Sequence, residues 1–189
     1  MDDERPRLRT TSVVSLLMIV AIAAYRWAPH PWNVAPVGAL FALSGLYVTR
    51  GWMAWAAALA AVVASDIPLY LRFDGTPLHA DRLVDYMGFT LVLLIGRACA
   101  GRTLAGRAGA VLAAPVVFYL VSNFGVWLAG EVGYPHTLGG LADCYLAGVP
   151  FFRGTLAGDW LFGLGGMAVI EGLPRLGRPA GPGAQGRAA

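Results

Sequence analysis

Between Arg9 and Arg26 the chain runs without one charged residue, "TTSVVSLLMIVAIAAY", and stretches of the same kind recur through most of its length. Such a stretch must be buried in protein or in lipid. Of the 189 residues, 57% are hydrophobic and 13% charged, whereas an average soluble domain is about 25% charged. A soluble bundle of this size would leave the apolar surplus facing water, so lipid is its natural solvent. The expected fold is therefore all-α: a polytopic membrane protein, a bundle of about six transmembrane helices forming one domain.

A span needs roughly 20 mostly apolar residues. The expected spans are Ser12–Ala28, Asn33–Thr49, Trp52–Leu71, Leu83–Cys99, Ala108–Ala129 and Leu156–Leu173, a transmembrane domain over 12–173. Residues 1–11 precede it, and a tail over 174–189, rich in Gly, Pro and Ala, reads as disordered. The N-terminus has the basic residues and apolar run of a signal peptide. That run is long enough to span, however, and no clear small-residue cleavage site follows it, so an uncleaved first helix is expected. Residues 130–154, "GEVGYPHTLGGLADCYLAGVPFFRG", are interrupted by Pro135, Gly139, Gly140, Gly148 and Pro150, which predicts an outer lid or re-entrant segment in place of a seventh span.

The basic residues, 14 in all and every one Arg, test that count, because cytoplasmic loops carry the excess of positive charge. With six spans and the N-terminus inside, the inner side holds Arg5, Arg7, Arg9, Arg50, Arg97, Arg102, Arg107, Arg175, Arg178 and Arg187. The outer side holds Arg26, Arg72, Arg82 and Arg153. This bias puts both termini in the cytoplasm and the protein in the inner (plasma) membrane. The arginines sit at helix ends and form no basic patch with interleaved aromatics, so a nucleic-acid partner is not expected. The absence of Lys excludes a P-loop lysine, a Schiff base and a Ser-Lys nucleophile. Cys99 and Cys144 fall near opposite faces and cannot pair with each other.

An ionisable group within a bilayer is costly, about 2.5–3.5 kcal/mol for Asp at a helix centre on insertion scales. The polar candidates nevertheless crowd toward the outer end: His30, Asn33, Asp66, Asp85, Tyr86, Asn123, Trp127, Tyr134, His136, Cys144, Tyr145, Arg153 and Asp159. The inner half shows almost nothing comparable. This predicts an outward pocket lined by aromatics, with Asn33, Asn123, Trp127, Tyr145, Arg153 and Asp159 as ligand-binding residues. Each has a plainer reading. Asp66, Asp85 and Asp159 lie near helix ends and can reach interfacial water, Trp127 suits an interfacial belt, and Asn123 can serve interhelical hydrogen bonding alone. His30, His79, His136 and Cys144 match no metal-ligand spacing, so no metal is expected. No catalytic motif is present, and neither a catalytic residue nor a cofactor is expected. In the third span, Ala56, Ala60 and Ala64 repeat every fourth residue beside Ala57 and Ala61, a pattern that lets helices approach closely within the bundle or at a partner subunit.

Three segments carry a resemblance. "PHPWNVAPVGALFALSGLY", "FYLVSNFGVWLAG" and "YPHTLGGLADCYLAGVPFFRGTLAGDW" resemble an uncharacterised family of bacterial membrane proteins with a domain of unknown function, over most of Pro29–Gly163. That family distantly resembles the S components of energy-coupling-factor transporters. The resemblance implies a six-helix subunit that captures a small micronutrient from outside, partnered by a transmembrane coupling subunit with ATPases. It names no substrate. The competing readings are a structural or assembly protein without ligand, and an intramembrane enzyme using Asp159 or His136.

Overall fold

A computed structural model describes residues 4–31, 33–73, 81–130 and 132–176, which form six α-helices and no strand. They are α1 (Glu4–Tyr25), α2 (Val37–Tyr47), α3 (Gly51–Phe73), α4 (Asp81–Cys99), α5 (Leu104–Ala129) and α6 (Leu138–Leu176). The expected tail beyond Leu176, and His79, lie outside the described residues. The chain passes up and down, so α1, α3 and α5 end where α2, α4 and α6 begin. Pairings between helices fix this sense: Phe41 stacks on Phe89, Val84 meets Gly125, and the Trp160 indole donates to the Leu112 carbonyl at 3.1 Å.

The centre of the bundle is α2. Every one of its 11 residues is buried, and at 1.5 Å per residue it is about 16 Å long, roughly half the apolar thickness of a bilayer. The expected second span, Asn33–Thr49, is thus helical only in its middle. Asn33 adopts a left-handed conformation (φ 57°) and Pro36 takes the N-cap position, so the chain enters α2 in irregular form. Pro36 contributes no side-chain cap. Asp159 of α6 caps the helix instead, its Oδ1 accepting the Ala39 amide at 2.8 Å. At the other end Arg97 of α4 donates to the carbonyls of Val48 and Thr49 at 2.8 and 2.6 Å. An acid at the N-terminus and a base at the C-terminus oppose the helix dipole at both ends.

Backbones touch where α2 crosses α4. A Cβ at Gly45 would lie 2.2 Å from the Leu93 carbonyl, and one at Gly96 would lie 2.6 Å from that of Ala42. The close approach expected for the third-span alanine row is found here. In the Ala-rich part of α3 the buried positions are Ala54, Ala58 and Val62, with Ser65 and Asp66 buried beyond it, while Ala60 and Ala64 face outward.

Residues 130–154 also differ from expectation. Gly130 (φ 70°) ends α5 in the left-handed conformation, a short turn follows, and from Leu138 the chain is helical through Gly148 and Pro150 to Leu176. Among the described residues this segment forms a turn and the first part of α6 in place of a separate lid. The glycines that read as breakers are contact points: a Cβ at Gly148 would lie 2.4 Å from Asn123 Oδ1, and one at Gly140 would lie 2.1 Å from the Pro135 carbonyl. Among the described residues, one helix, α5, is long and apolar enough by itself to cross a membrane; Val13–Tyr25, Val37–Tyr47 and Gly51–Ile67 are shorter apolar stretches.

Candidate functional site

At the end of the bundle where α1 stops and α2 begins, a cavity of about 210 Å³ opens between the end of α1, the irregular approach to α2, and α3, α4, α5 and α6. One part of its wall is charged. Arg26, just past α1, reaches the last turns of α3, where Nη2 contacts Asp66 Oδ1 at 2.6 Å and Nη1 bonds to the Ser65 hydroxyl and, at 3.4 Å, the Val62 carbonyl. The ion pair is largely removed from water, with 12% of the Arg26 side chain and 7% of the Asp66 side chain exposed. Trp27 donates to the Ser65 carbonyl at 3.2 Å and ties the same segments together.

Two donors remain. Arg26 Nε and Asn33 Nδ2 are buried and make no hydrogen bond among the described residues, and both residues line the cavity. A buried donor without an acceptor costs about 1–3 kcal/mol, so each is suited to an acceptor supplied from outside the chain. Asp85 and Tyr86 of α4 add further polar groups to the wall. Another part is aromatic: Phe89 and Phe118 stack with centroids 4.2 Å apart and planes 2° from parallel, and Phe41 continues the stack into the core at 5.2 Å.

Beside it lies a smaller cavity of about 100 Å³, lined by Tyr119, Ser122, Asn123, Gly148, Phe151 and Phe152. Phe118 and Thr155 belong to both walls. The arrangement can receive a small molecule that combines hydrogen-bonding edges with an apolar or aromatic face.

The six expected ligand residues do not meet in one place. Asn33 lines the larger cavity and Asn123 the smaller, with Asn123 Nδ2 donating to its own helix at the Tyr119 carbonyl, 2.9 Å away. Trp127 pins the turn between α5 and α6: its indole donates to the Pro135 carbonyl at 2.9 Å, and His136 Nε2 lies 2.9 Å from the Trp127 carbonyl. Tyr145 clips α6 to α5, donating to the Leu120 carbonyl at 2.8 Å while its own carbonyl accepts from Tyr119. Arg153 is exposed on α6 and makes no ion pair with Asp159, which is buried against α2. Among the described residues no three His, Cys, Asp or Glu come together as a metal site.

Arg26, Phe89, Phe118 and Thr155 were not among the expected site residues. A signal for Arg26 existed, since it and Asp66 are opposite charges at the same end of two helices. The other end is also richer than expected: Glu171 of α6 accepts from Tyr47 at 2.8 Å and pairs with Arg107 at 2.5 Å. That cluster joins α2, α5 and α6 and is the polar counterpart of the Asp159 cap.

No curated protein and no solved structure matches the chain. A family model does, over residues 6–175, and the chain belongs to that family, a family of unknown function (DUF6580).

Proposed function

We propose that this member of DUF6580 is a multi-pass inner-membrane protein with both termini cytoplasmic, and that its cavity captures a small molecule from outside as an S-component-like subunit of a micronutrient transporter. The observation that carries the reading is the cavity itself, with buried donors that lack acceptors beside a stacked aromatic wall.

The outer surface of the bundle supports the membrane setting. On α5 the outward residues Leu112, Val116, Leu120, Phe124 and Leu128 recur every fourth position, and 22% of its most apolar stretch is buried inside the bundle. Leu83, Met87, Leu91 and Leu94 make a matching stripe on α4. In water these stripes would be an aggregation liability; in lipid they are the required surface. Irregular backbone at membrane depth is tolerated where it is enclosed by protein or lines a cavity, and the segment Asn33–Pro36 does the second. A partner with ATPases, acting from the cytoplasmic side, belongs to the same proposal.

One observation favours a second reading, assembly or structural support without ligand. Trp127, Tyr145 and Asp159 each direct a polar side-chain atom to a backbone group of a neighbouring segment. Mass spectrometry of small molecules released on denaturing the detergent-purified protein separates the readings. Capture predicts one compound near equimolar with the chain, lost when Phe118→Trp fills the cavity. Its absence from a folded wild type would favour the structural reading.

A further inference from the structure

The capture reading leaves open how a ligand arrives and what kind of molecule it is. Along the outside of α3 and α4 runs a groove of about 630 Å³, whose apolar lining includes Trp55, Leu59, Leu83, Met87, Leu91 and Leu94. Tyr86 lies in the wall of this groove and in the wall of the polar cavity, so the two spaces adjoin at one side chain.

We infer that the ligand is an uncharged single-chain amphiphile that enters sideways from the bilayer, its head in the cavity and its acyl chain along the α3–α4 groove. The inference rests on the capture reading and assigns the substrate class of that site.

Three features define the molecule. The first is the division of polarity. The one hydroxyl in the groove besides that of Tyr86, on Thr90, donates to the Tyr86 carbonyl at 2.7 Å and accepts the Trp55 indole N–H at 3.1 Å. Its hydrogen bonding is used within the protein, and the groove offers a guest apolar surface. The second is the pair of buried donors on the cavity side, Arg26 Nε and Asn33 Nδ2, which call for carbonyl or ether oxygens on the head. The third is charge. In the described cavity wall the charge of Arg26 is matched by its ion pair with Asp66, so it is not left over for an anionic head.

The groove also has the right extent. From Leu83 to Leu94 the helix rises about 16 Å, room for an extended medium-length chain. Among the described residues one such groove adjoins the cavity, so one acyl chain is assigned to it.

The test uses the full chain reconstituted in phosphatidylcholine vesicles, with a monoacylglycerol carrying a diazirine in its acyl chain as probe. After irradiation, labelled positions are mapped by peptide mass spectrometry. The inference predicts adducts on Leu59, Met87 and Leu91, removed by excess unlabelled monoacylglycerol. Labelling should fall by about tenfold in Asn33→Ala, the scale of one buried hydrogen bond. Because Asn33→Ala could disturb the approach to α2, the outward-facing Leu91→Trp serves as a second variant; it should block groove labelling while the protein elutes and melts as wild type.

Equal labelling of the groove and the α5 stripe, unaffected by competitor or by either variant, would mean bulk lipid only and would overturn the inference. An unlabelled groove in a protein that still releases a water-soluble compound on denaturation would overturn it too, while leaving capture standing. If no compound is released and no saturable labelling occurs, capture and the inference both fail.

Discussion

Asp159 and Arg97 hold opposite ends of the same buried helix, the carboxylate accepting the Ala39 amide and the guanidinium donating to the Val48 and Thr49 carbonyls. One comes from α6 and the other from α4, so α2 is clamped by side chains distant from it in sequence. Asp159→Ala leaves the Ala39 N–H buried without an acceptor and should lower stability by about 1–3 kcal/mol. Asp159→Asn, which keeps an acceptor, should cost less. Thermal unfolding of the purified variants in detergent measures both, and an alanine variant as stable as wild type would refute the cap.

Gly38 is tied to the same interaction. A Cβ there would lie 2.2 Å from Asp159 Oδ2. Gly38→Ala should therefore destabilise strongly alone and much less in the Asp159→Ala background, a non-additivity of about 0.5–3 kcal/mol expected of groups in contact. Additive losses in the double variant would show that the two positions act independently.

The closest backbone approach on α2 is to α4, at Gly45 and Gly96, whereas in the alanine row of α3 Ala61 packs against the core and Ala60 and Ala64 face outward. Gly96→Val should abolish folding or reduce yield sharply, because backbone on α2 occupies the space. Ala60→Leu faces outward and should change stability by about 0.5 kcal/mol or less, the usual range for surface substitutions. Fluorescence size-exclusion profiles of the two variants compare them directly, and the reverse order of damage would contradict this packing.

The topology predicts which cysteines label from which side. Cys144 is buried and donates to the Asn123 carbonyl, so it should resist thiol reagents in the folded protein. With both native cysteines replaced by Ser, Leu138→Cys, at a position 87% exposed, should react with an impermeant maleimide added to intact cells. Reaction only after permeabilisation would invert the proposed orientation.

Helix number and the polar end were legible in the sequence, because apolar runs and the depth of charged residues depend on local composition alone. Partners were not. The ligand of the Asp159 carboxylate lies on another helix, and its role as a cap could not be separated from a pocket role by depth. Gly148 and Pro150 read as breaks under rules that weigh local propensity, yet at Gly148 α6 packs directly on Asn123 of α5, and the helix continues through both. The cavity was half visible: Asn33, Asp66, Asp85 and Tyr86 stood out as polar residues at one depth. Nothing local in the sequence marks Phe89 and Phe118 as the wall of a cavity.

The central claim is an outward-open cavity in a membrane bundle, and sided labelling of a residue in its wall tests it most directly. In a chain with Cys99→Ser and Cys144→Ser, Asn33→Cys should react with an impermeant maleimide added outside intact cells, and more slowly when the compound released from the wild-type protein is added first. An Asn33→Cys that stays unlabelled until the cells are permeabilised, in a protein that remains folded and membrane-inserted, would contradict the account.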